Sequence, residues 1–190
     1  KDNNIDGYYR SFYSNGNIYR EGWYKDGNME GVWHSYFPDG GLASDEYYIK
    51  DEKHGIFTYY DHFGHILDKE YIELNVFVKH EVYDTLGNIL QTSVMPAGNG
   101  HIRDVYINGK TSGEGEMQGG KPLDGYKFFN PDGTELSAGH YLNGERTGEW
   151  KSFFPNGNLY SIQNYKDGEQ EGYYADYNED GLLKIGRAHV

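Results

Sequence analysis

The residues with the most evident potential for chemistry are two histidines beside a glycine turn. His62 and His65 flank Gly64, and Asp61 and Asp68 lie near them in the sequence. Two imidazoles across a tight turn could bind a divalent metal, but no third ligand follows at a compelling spacing. Solvated turn histidines are the simpler interpretation. We therefore expect no metal site and no cofactor.

A second candidate is the segment Gly115–Lys121, which matches the first seven positions of a phosphate-binding loop. The eighth position is Pro122, which has neither a hydroxyl for Mg²⁺ nor an N–H for phosphate. We interpret these glycines as turns. The sequence also has no nucleophile elbow and no H-E-x-x-H zinc motif, and its carboxylates show no spacing that singles out a pair. We predict no catalytic residue and no enzyme activity.

The elements that would position any site follow from a regular spacing of glycine. An aromatic residue precedes each of these glycines by four positions, and another precedes most of them by seven. Eleven positions after most of them stands a Gly, Asn or Asp, the types that best tolerate positive φ. The glycines recur mostly every 24 residues, and a period of this length indicates a repeat architecture. The glycines are Gly16, Gly40, Gly64, Gly87, Gly133, Gly157 and Gly181, and the second positions are Gly27, Asp51, Asn75, Gly98, Gly144 and Gly168.

Short Tyr-rich stretches bounded by Asn-Gly or Asp-Gly are the strongest local signal for β-hairpins. We predict an all-β fold, an elongated single antiparallel sheet of consecutive hairpin repeats, twisted or coiled, with almost no helix. Residues 1–190 are interpreted as one array, regular over 7–75 and 125–190 and irregular over 76–124. The irregular segment is either a decayed repeat, with a bend in the sheet, or an insertion that binds something.

The chain has a net charge of −13, from 30 acidic and 17 basic residues, and no cysteine. The charge repels nucleic acid, makes binding to membrane lipid unfavourable and favours a basic protein partner, although solubility alone also explains it. The absence of cysteine excludes disulfides and thiolate chemistry. The first residue is Lys1 rather than Met, so a cytoplasmic location and, after removal of a leader, a periplasmic or cell-surface location both stay open.

Aromatic side chains are the most informative surface candidates. Two aromatics spaced by three positions face opposite sides of a regular strand, so one ring of each pair is expected in the core and the other nearer to solvent. Exposed Tyr and Trp are favoured interface anchors. The candidate partner-binding aromatics are Tyr9, Trp33, Tyr36, Phe57, Tyr60, Tyr126, Trp150, Phe153, Tyr174 and Tyr177.

The repeat unit from Gly148 through Trp150, Phe153, Asn156-Gly157 and Leu159 to Gly168 resembles the MORN repeat. More closely it resembles the bacterial variant of that repeat, whose members are often labelled antitoxin components of toxin–antitoxin pairs. The resemblance implies an antiparallel sheet of stacked hairpins that acts as an interaction scaffold, and it carries over structural positions only. Phosphoinositide binding, known for eukaryotic MORN arrays, conflicts with the acidic charge.

We therefore expect a non-enzymatic protein–protein interaction scaffold, with an antitoxin or immunity protein that binds a cationic partner as one form of it. The alternative is a secreted or cell-surface protein whose array has a structural or adhesive role. Open sheet edges would also permit end-to-end self-association. The identity of the partner is not encoded in any motif.

Overall fold

The computed structural model describes residues 5–187. It is all-β, with 67% of residues in strands, which confirms the predicted fold class of antiparallel hairpins. Within the described residues the helical structure is a single 3₁₀ turn at Pro96–Gly98, and no helix there has the length and hydropathy to cross a bilayer.

The strands form two antiparallel sheets in which chain neighbours pair with each other, and the short β5 pairs with β4. The first sheet contains β1 (Gly7–Phe12), β2 (Ile18–Lys25), β3 (Asn28–Tyr36), β4 (Leu42–Ile49), β5 (Glu52–Lys53), β6 (Gly55–Tyr60), β7 (Ile66–Glu73), β8 (Val76–Tyr83) and β9 (Ile89–Val94). The second contains β10 (Gly100–Val105), β11 (Thr111–Gln118), β12 (Lys121–Phe129), β13 (Glu135–Leu142), β14 (Glu145–Phe153), β15 (Leu159–Lys166), β16 (Glu169–Tyr177) and β17 (Leu183–Arg187).

The chain also divides into two compact units, a first unit that ends at Thr92 and a second unit that begins at Ser93. The sequence predicts one sheet, and the structure has two, with the change of sheet inside the irregular segment 76–124. Where the chain changes sheet, the Ser93 hydroxyl of β9 accepts the N–H of Arg103 in β10 at 3.0 Å. The interpretation of residues 1–190 as one array stays a prediction.

Two turn types alternate along the chain, and both place glycine where the sequence spacing requires it. At the first type, the N–H of Gly16 donates to the carbonyl of Tyr13 at 3.0 Å, and Gly16 has φ of 90°. This is a type I turn followed by a bulge. At the second type, Asp26 and Gly27 have φ of 51° and 86°, the pattern of a type I′ hairpin. All thirteen turn positions identified in the sequence have positive φ, so the predicted turns are confirmed, and Gly98 lies in the 3₁₀ turn between the two sheets rather than in a hairpin.

The core of the first unit lies on one face of its sheet, which we call the core face. Trp33, Tyr48, Phe57 and Ile72 are buried there, with exposed fractions of 6% or less. The ring centroids of Tyr48 and Phe57 are 5.6 Å apart in an edge-to-face arrangement, the preferred geometry for aromatic pairs. In the second unit Tyr126 and Trp150 occupy the corresponding repeat positions and are also buried.

The core tryptophans lie directly against a glycine of the neighbouring strand. A Cβ placed on Gly22 would be 2.3 Å from the nearest ring atom of Trp33, and one on Gly139 would be 2.2 Å from the ring of Trp150. Gly115 has the same relation to Tyr126. Glycine is therefore required at these positions because the indole ring occupies the space of a side chain.

On the opposite face of the first unit, Glu21 is a buried carboxylate, with 8% of its surface exposed. It accepts hydrogen bonds from the hydroxyl of Tyr36 and from Nε of Arg10, both at 2.7 Å. The hydroxyls of Tyr8 and Tyr36, together with Arg10, stabilise the ionised form and lower the pKa of Glu21 to about 2.

Glu81 is the second buried carboxylate of this face, with 6% of its surface exposed. The hydroxyls of Tyr71 and Tyr83 donate to it at 2.8 and 2.7 Å, and Nζ of Lys79 lies 2.6 Å from its other oxygen. Burial alone would raise the pKa of Glu81, but the hydrogen bonds from Lys79, Tyr83 and Tyr71 outweigh it and lower the pKa to about 2.

We predict that Gly22→Ala lowers the free energy of unfolding by about 1–3 kcal/mol or more, because the new methyl group would overlap the ring of Trp33. Gly41→Ala is the control, since its Cβ would approach no atom closer than 3.4 Å. Urea denaturation followed by far-UV circular dichroism measures both. Equal stability of the two variants would contradict the packing role of Gly22.

We predict that acid weakens the first unit through Glu21 and Glu81. Their folded pKa values lie below the ordinary value near 4.5, so the stability they contribute is present above that value and is lost as the pH falls towards 2. Glu21→Gln and Glu81→Gln should therefore flatten the decline of the free energy of unfolding between pH 5 and pH 2.5.

Glu70→Gln is a control, because the contribution of Glu70 to stability is expected to depend on pH in the opposite direction. Burial raises the pKa of Glu70, and this outweighs the hydrogen bond that Tyr59 donates. A raised folded pKa means that stability is lost as the pH rises above about 4.5. Glu70→Gln should thus gain stability relative to the parent at pH 7 and not at pH 4. Urea titrations across this pH range measure all three variants, and parallel profiles would contradict the assignment.

Candidate partner-binding surface

The face of the first unit opposite the core, which we call the outer face, carries a row of polar side chains across its strands. Cross-strand register places Arg10, Glu21, His34, Asp45, Thr58, Lys69 and Glu81 opposite one another in turn. Arg10 and Glu21 are joined at 2.7 Å, and Nδ1 of His34 lies 2.6 Å from Asp45. This charged row links neighbouring strands and includes the buried carboxylates described above.

Beside the charged row runs a second row of large apolar side chains that remain exposed. Tyr8 pairs with Trp23 in the register, and Val32 pairs with Tyr47. Ile56 lies on the next long strand, β6. The exposed fractions are 50% for Tyr8, 56% for Trp23, 49% for Val32, 38% for Tyr47 and 48% for Ile56. We call these five residues the apolar row.

The second unit offers an internal comparison, because the repeat spacing gives each residue of the apolar row a counterpart there. Counted from the turn glycines, the counterparts of Tyr8, Trp23, Val32, Tyr47 and Ile56 are Gly125, His140, Glu149, Asn164 and Tyr173. The same hairpins therefore form with glycine or a polar residue at four of the five positions. The apolar row is not a requirement of the fold.

A cleft of about 700 Å³ lies at one end of the apolar row, beside the turn that joins β2 to β3. Tyr8, Trp23 and Val32 form its apolar wall, and the ring centroids of Tyr8 and Trp23 are 5.8 Å apart. The charged and titratable residues that line it are Asp6, Lys25, Asp26, Glu30 and His34. A volume of this size is within the range of binding sites for small molecules.

Hydrogen bonds between tyrosines and carboxylates fix the floor of this surface. The hydroxyl of Tyr36 donates to Glu21 at 2.7 Å, and that of Tyr60 donates to Asp45 at 2.9 Å. Burial and these carboxylates raise the pKa of Tyr36 and of Tyr60 to about 12. Both tyrosines therefore act as donors throughout the neutral range, and both hydroxyls are directed to the protein itself.

The aromatics predicted from the sequence as partner-binding residues divide between the two faces as their spacing of three requires. Trp33, Phe57, Tyr126 and Trp150 are buried in the core, so their rings are not presented at the surface. Tyr9 is 37% exposed. Intermediate burial is found for Tyr36, Tyr60, Phe153, Tyr174 and Tyr177. A partner-binding role for any of these rings stays a prediction.

The sequence analysis missed the apolar row because it considered only the aromatic residues four and seven positions before each turn glycine. The missed residues stand seven positions after a turn glycine (Trp23 and Tyr47) or eight before it (Tyr8, Val32 and Ile56). Their signal is weak, since it requires strand alternation to be combined with a comparison of corresponding repeats. Exposure in the structure identifies them directly.

The two candidates for ligand chemistry both have structural roles. Nδ1 of His62 lies 3.2 Å from Asp39 and its ring stacks on Phe37, while Nδ1 of His65 lies 2.9 Å from Asp61. Gly119 and Gly120 form the turn between β11 and β12, as predicted, but the prediction of a turn is wrong for Gly115, which lies inside β11 against the ring of Tyr126. Among residues 5–187, no group of three or more His, Asp or Glu side chains is placed to hold a metal ion.

Two solved structures superpose only loosely on this chain. The structures titled "Crystal Structure of TcdB2-TccC3-Cdc42" and "Crystal Structure of TcdB2-TccC3-TEV" are 9% and 10% identical to this chain, with TM-scores of 0.26 and 0.17. Each match covers 94% of this chain but only 12% and 13% of the other chain. Similarity at this level carries no argument about fold or function. A comparison with curated protein sequences finds no match.

The family comparison is more informative. The model for the MORN repeat variant matches residues 5–28 and 146–167, one segment in each unit and together less than half of the chain. The first segment contains Tyr8 and Trp23, and the second contains Trp150. MORN repeats commonly take part in protein or membrane interactions, which fits a binding scaffold. Two segments of this chain thus carry the MORN repeat variant pattern.

Proposed function

We propose that this protein is a non-enzymatic scaffold that binds a basic protein through the outer face of its first unit. The observation that carries the proposal is the apolar row, which is exposed in the first unit and replaced by mostly polar counterparts in the second. Exposed aromatic and aliphatic side chains in one contiguous row are typical of interaction sites.

The preference for a basic partner rests on charge. Residues 1–92 contain 16 acidic and eight basic residues, a net charge of −8, and three carboxylates line the cleft beside the apolar row. Such a field attracts a cationic surface and speeds its association, and the apolar row then supplies contact area. An anionic membrane or nucleic acid would be repelled by the same field.

Sequestration of a cationic toxin, as an antitoxin or immunity protein, is the specific form of this function that we favour. It requires a tight complex with a basic protein and no chemistry, and the outer face offers both charge and apolar area. A structural or adhesive role at a cell surface would not require the contrast between the outer faces of the two units.

We predict that Val32→Glu combined with Tyr47→Asn lowers capture of a basic partner at least about tenfold, because it removes apolar contact area at the centre of the row. Both substitutions introduce the residue that the second unit has at the corresponding position, so the hairpin geometry tolerates them. The new carboxylate increases the negative charge. A loss of capture therefore reports the apolar contact and not the electrostatic attraction.

The measurement is coexpression of the full chain with proteins encoded beside its gene, followed by affinity capture at ~150 mM salt. Leu136→Asn is the matched control, since Leu136 is 43% exposed in the second unit and its loss should change capture less than twofold. Poly-L-lysine serves as a probe for charge alone. The proposal fails if no partner is captured, or if the double variant captures the partner as well as the parent does.

A further inference from the structure

Each buried tryptophan of this protein has an arginine over its ring. The guanidinium carbon of Arg20 lies 5.0 Å from the ring centre of Trp33, and that of Arg146 lies 4.3 Å from the ring centre of Trp150. A guanidinium placed over an indole ring is stabilised by the ring quadrupole and by planar stacking. The remaining tryptophan, Trp23, is the exposed one, and no Arg or Lys within residues 5–187 lies over its ring.

The arrangement around Arg20 shows what completes such a site in this fold. Trp33 and Glu46 are directly opposite each other on β3 and β4. Arg20 contacts both, with its guanidinium carbon 5.0 Å from the ring centre of Trp33 and Nη2 2.5 Å from the Glu46 carboxylate. A cross-strand pair of tryptophan and glutamate thus binds one guanidinium, through the ring and through a charge-assisted hydrogen bond.

A second pair of the same kind lies on the outer face. Trp23 and Glu30 are directly opposite each other on β2 and β3, and both line the cleft described above. The backbone N–H of Lys50 donates to Glu30 at 3.0 Å, which holds the carboxylate in position. Tyr8 adds a second ring 5.8 Å from Trp23. Arg10 already lies over the ring of Tyr8 at 5.0 Å, so rings of this surface accept a guanidinium.

We propose that the cleft between Trp23 and Glu30 binds an arginine side chain of the partner. The guanidinium stacks on the exposed indole ring and donates to Glu30, as Arg20 does between Trp33 and Glu46. Carboxylates line the cleft at Asp6 and Asp26 as well, against one cationic side chain, Lys25. The inference rests on the proposed function, since it names the group by which a basic protein is recognised.

Arginine is expected in preference to lysine for a geometric reason. The guanidinium is planar and can stack on a ring while its N–H groups reach a carboxylate at the edge, whereas an ammonium group is a compact, strongly hydrated charge. Within residues 5–187 the cation over a tryptophan is arginine in both cases, whereas the cation over a tyrosine is arginine in some cases and lysine in others.

The test uses a single amino-acid probe and the full chain. N-acetyl-arginine amide is titrated into the ¹⁵N-labelled protein, and the indole N–H signal of Trp23 is followed by NMR after assignment with Trp23→Phe. N-acetyl-citrulline amide, which has nearly the same shape without the charge, is the matched probe. We expect saturable shifts at Trp23 and Glu30 with arginine, at least about threefold weaker binding of citrulline, and little change at Trp150.

Two variants separate the contributions of the ring and the carboxylate. Trp23→Leu keeps an apolar side chain and should abolish saturable binding, while Glu30→Gln should weaken binding about threefold. Glu171→Gln is the control for the carboxylate, because Glu171 stands three positions after the turn glycine Gly168, as Glu30 does after Gly27. It should leave binding unchanged. The unaltered amide spectrum elsewhere verifies that each variant is folded.

Equal affinity for citrulline, a lack of saturation, or equal shifts at Trp23 and Trp150 would overturn the arginine site. Those outcomes would not affect the proposed function, because that function is tested by capture of the partner and its dependence on Val32 and Tyr47. Conversely, a failure to capture any partner would remove the proposed function even where the probe binds. The two experiments therefore fail separately.

Discussion

Contact between an aromatic ring and a glycine backbone on the neighbouring strand is the interaction on which the rest of this structure depends. The rings of Trp33 and Trp150 occupy the space that a side chain of Gly22 or Gly139 would need. A sheet that buries side chains mainly on one face has little depth to fill, and a large flat ring against bare backbone fills it. Where this contact occurs, at Trp33, Tyr126 and Trp150, it fixes which face of the sheet is the core and leaves the other face for polar and exposed residues.

The outer face of the first unit contains residues that stabilise the sheet and, beside them, residues that we propose bind a partner. Its charged row joins strands through paired groups such as Arg10 with Glu21, and the tyrosine hydroxyls satisfy the buried carboxylates. Because these groups already form hydrogen bonds and ion pairs with one another, they are not free to bond to a partner. In the neighbouring apolar row Tyr8 has internal partners, Arg10 over its ring and Glu21 at its hydroxyl, but 56% of the Trp23 surface remains exposed. The contacts that we propose with a partner therefore depend on the apolar row and its cleft.

Comparison of corresponding positions in the two units separates residues that the fold requires from residues that it does not require. A position that is aromatic in both units, as Trp33 and Trp150 are, serves the common fold. A position that is apolar in one unit and polar in the other, as Val32 and Glu149 are, is not required by the hairpin. Selection for folding alone leaves such exposed positions free to vary and does not favour a contiguous row of large apolar side chains. The contrast is the reason why we propose the first unit as the binding unit.

The sequence by itself determined the hairpin repeats, because positive φ at Gly16, Gly27 and their counterparts is a local requirement that a residue type satisfies alone. It also predicted that aromatics three positions apart, such as Trp33 and Tyr36, would lie on opposite faces. Only the tertiary structure decided which face is buried, that the ladder divides into two sheets near Ser93, and that Trp23 stands opposite Glu30. Those facts depend on the register between strands and on the packing of rings against distant backbone, which no local pattern specifies.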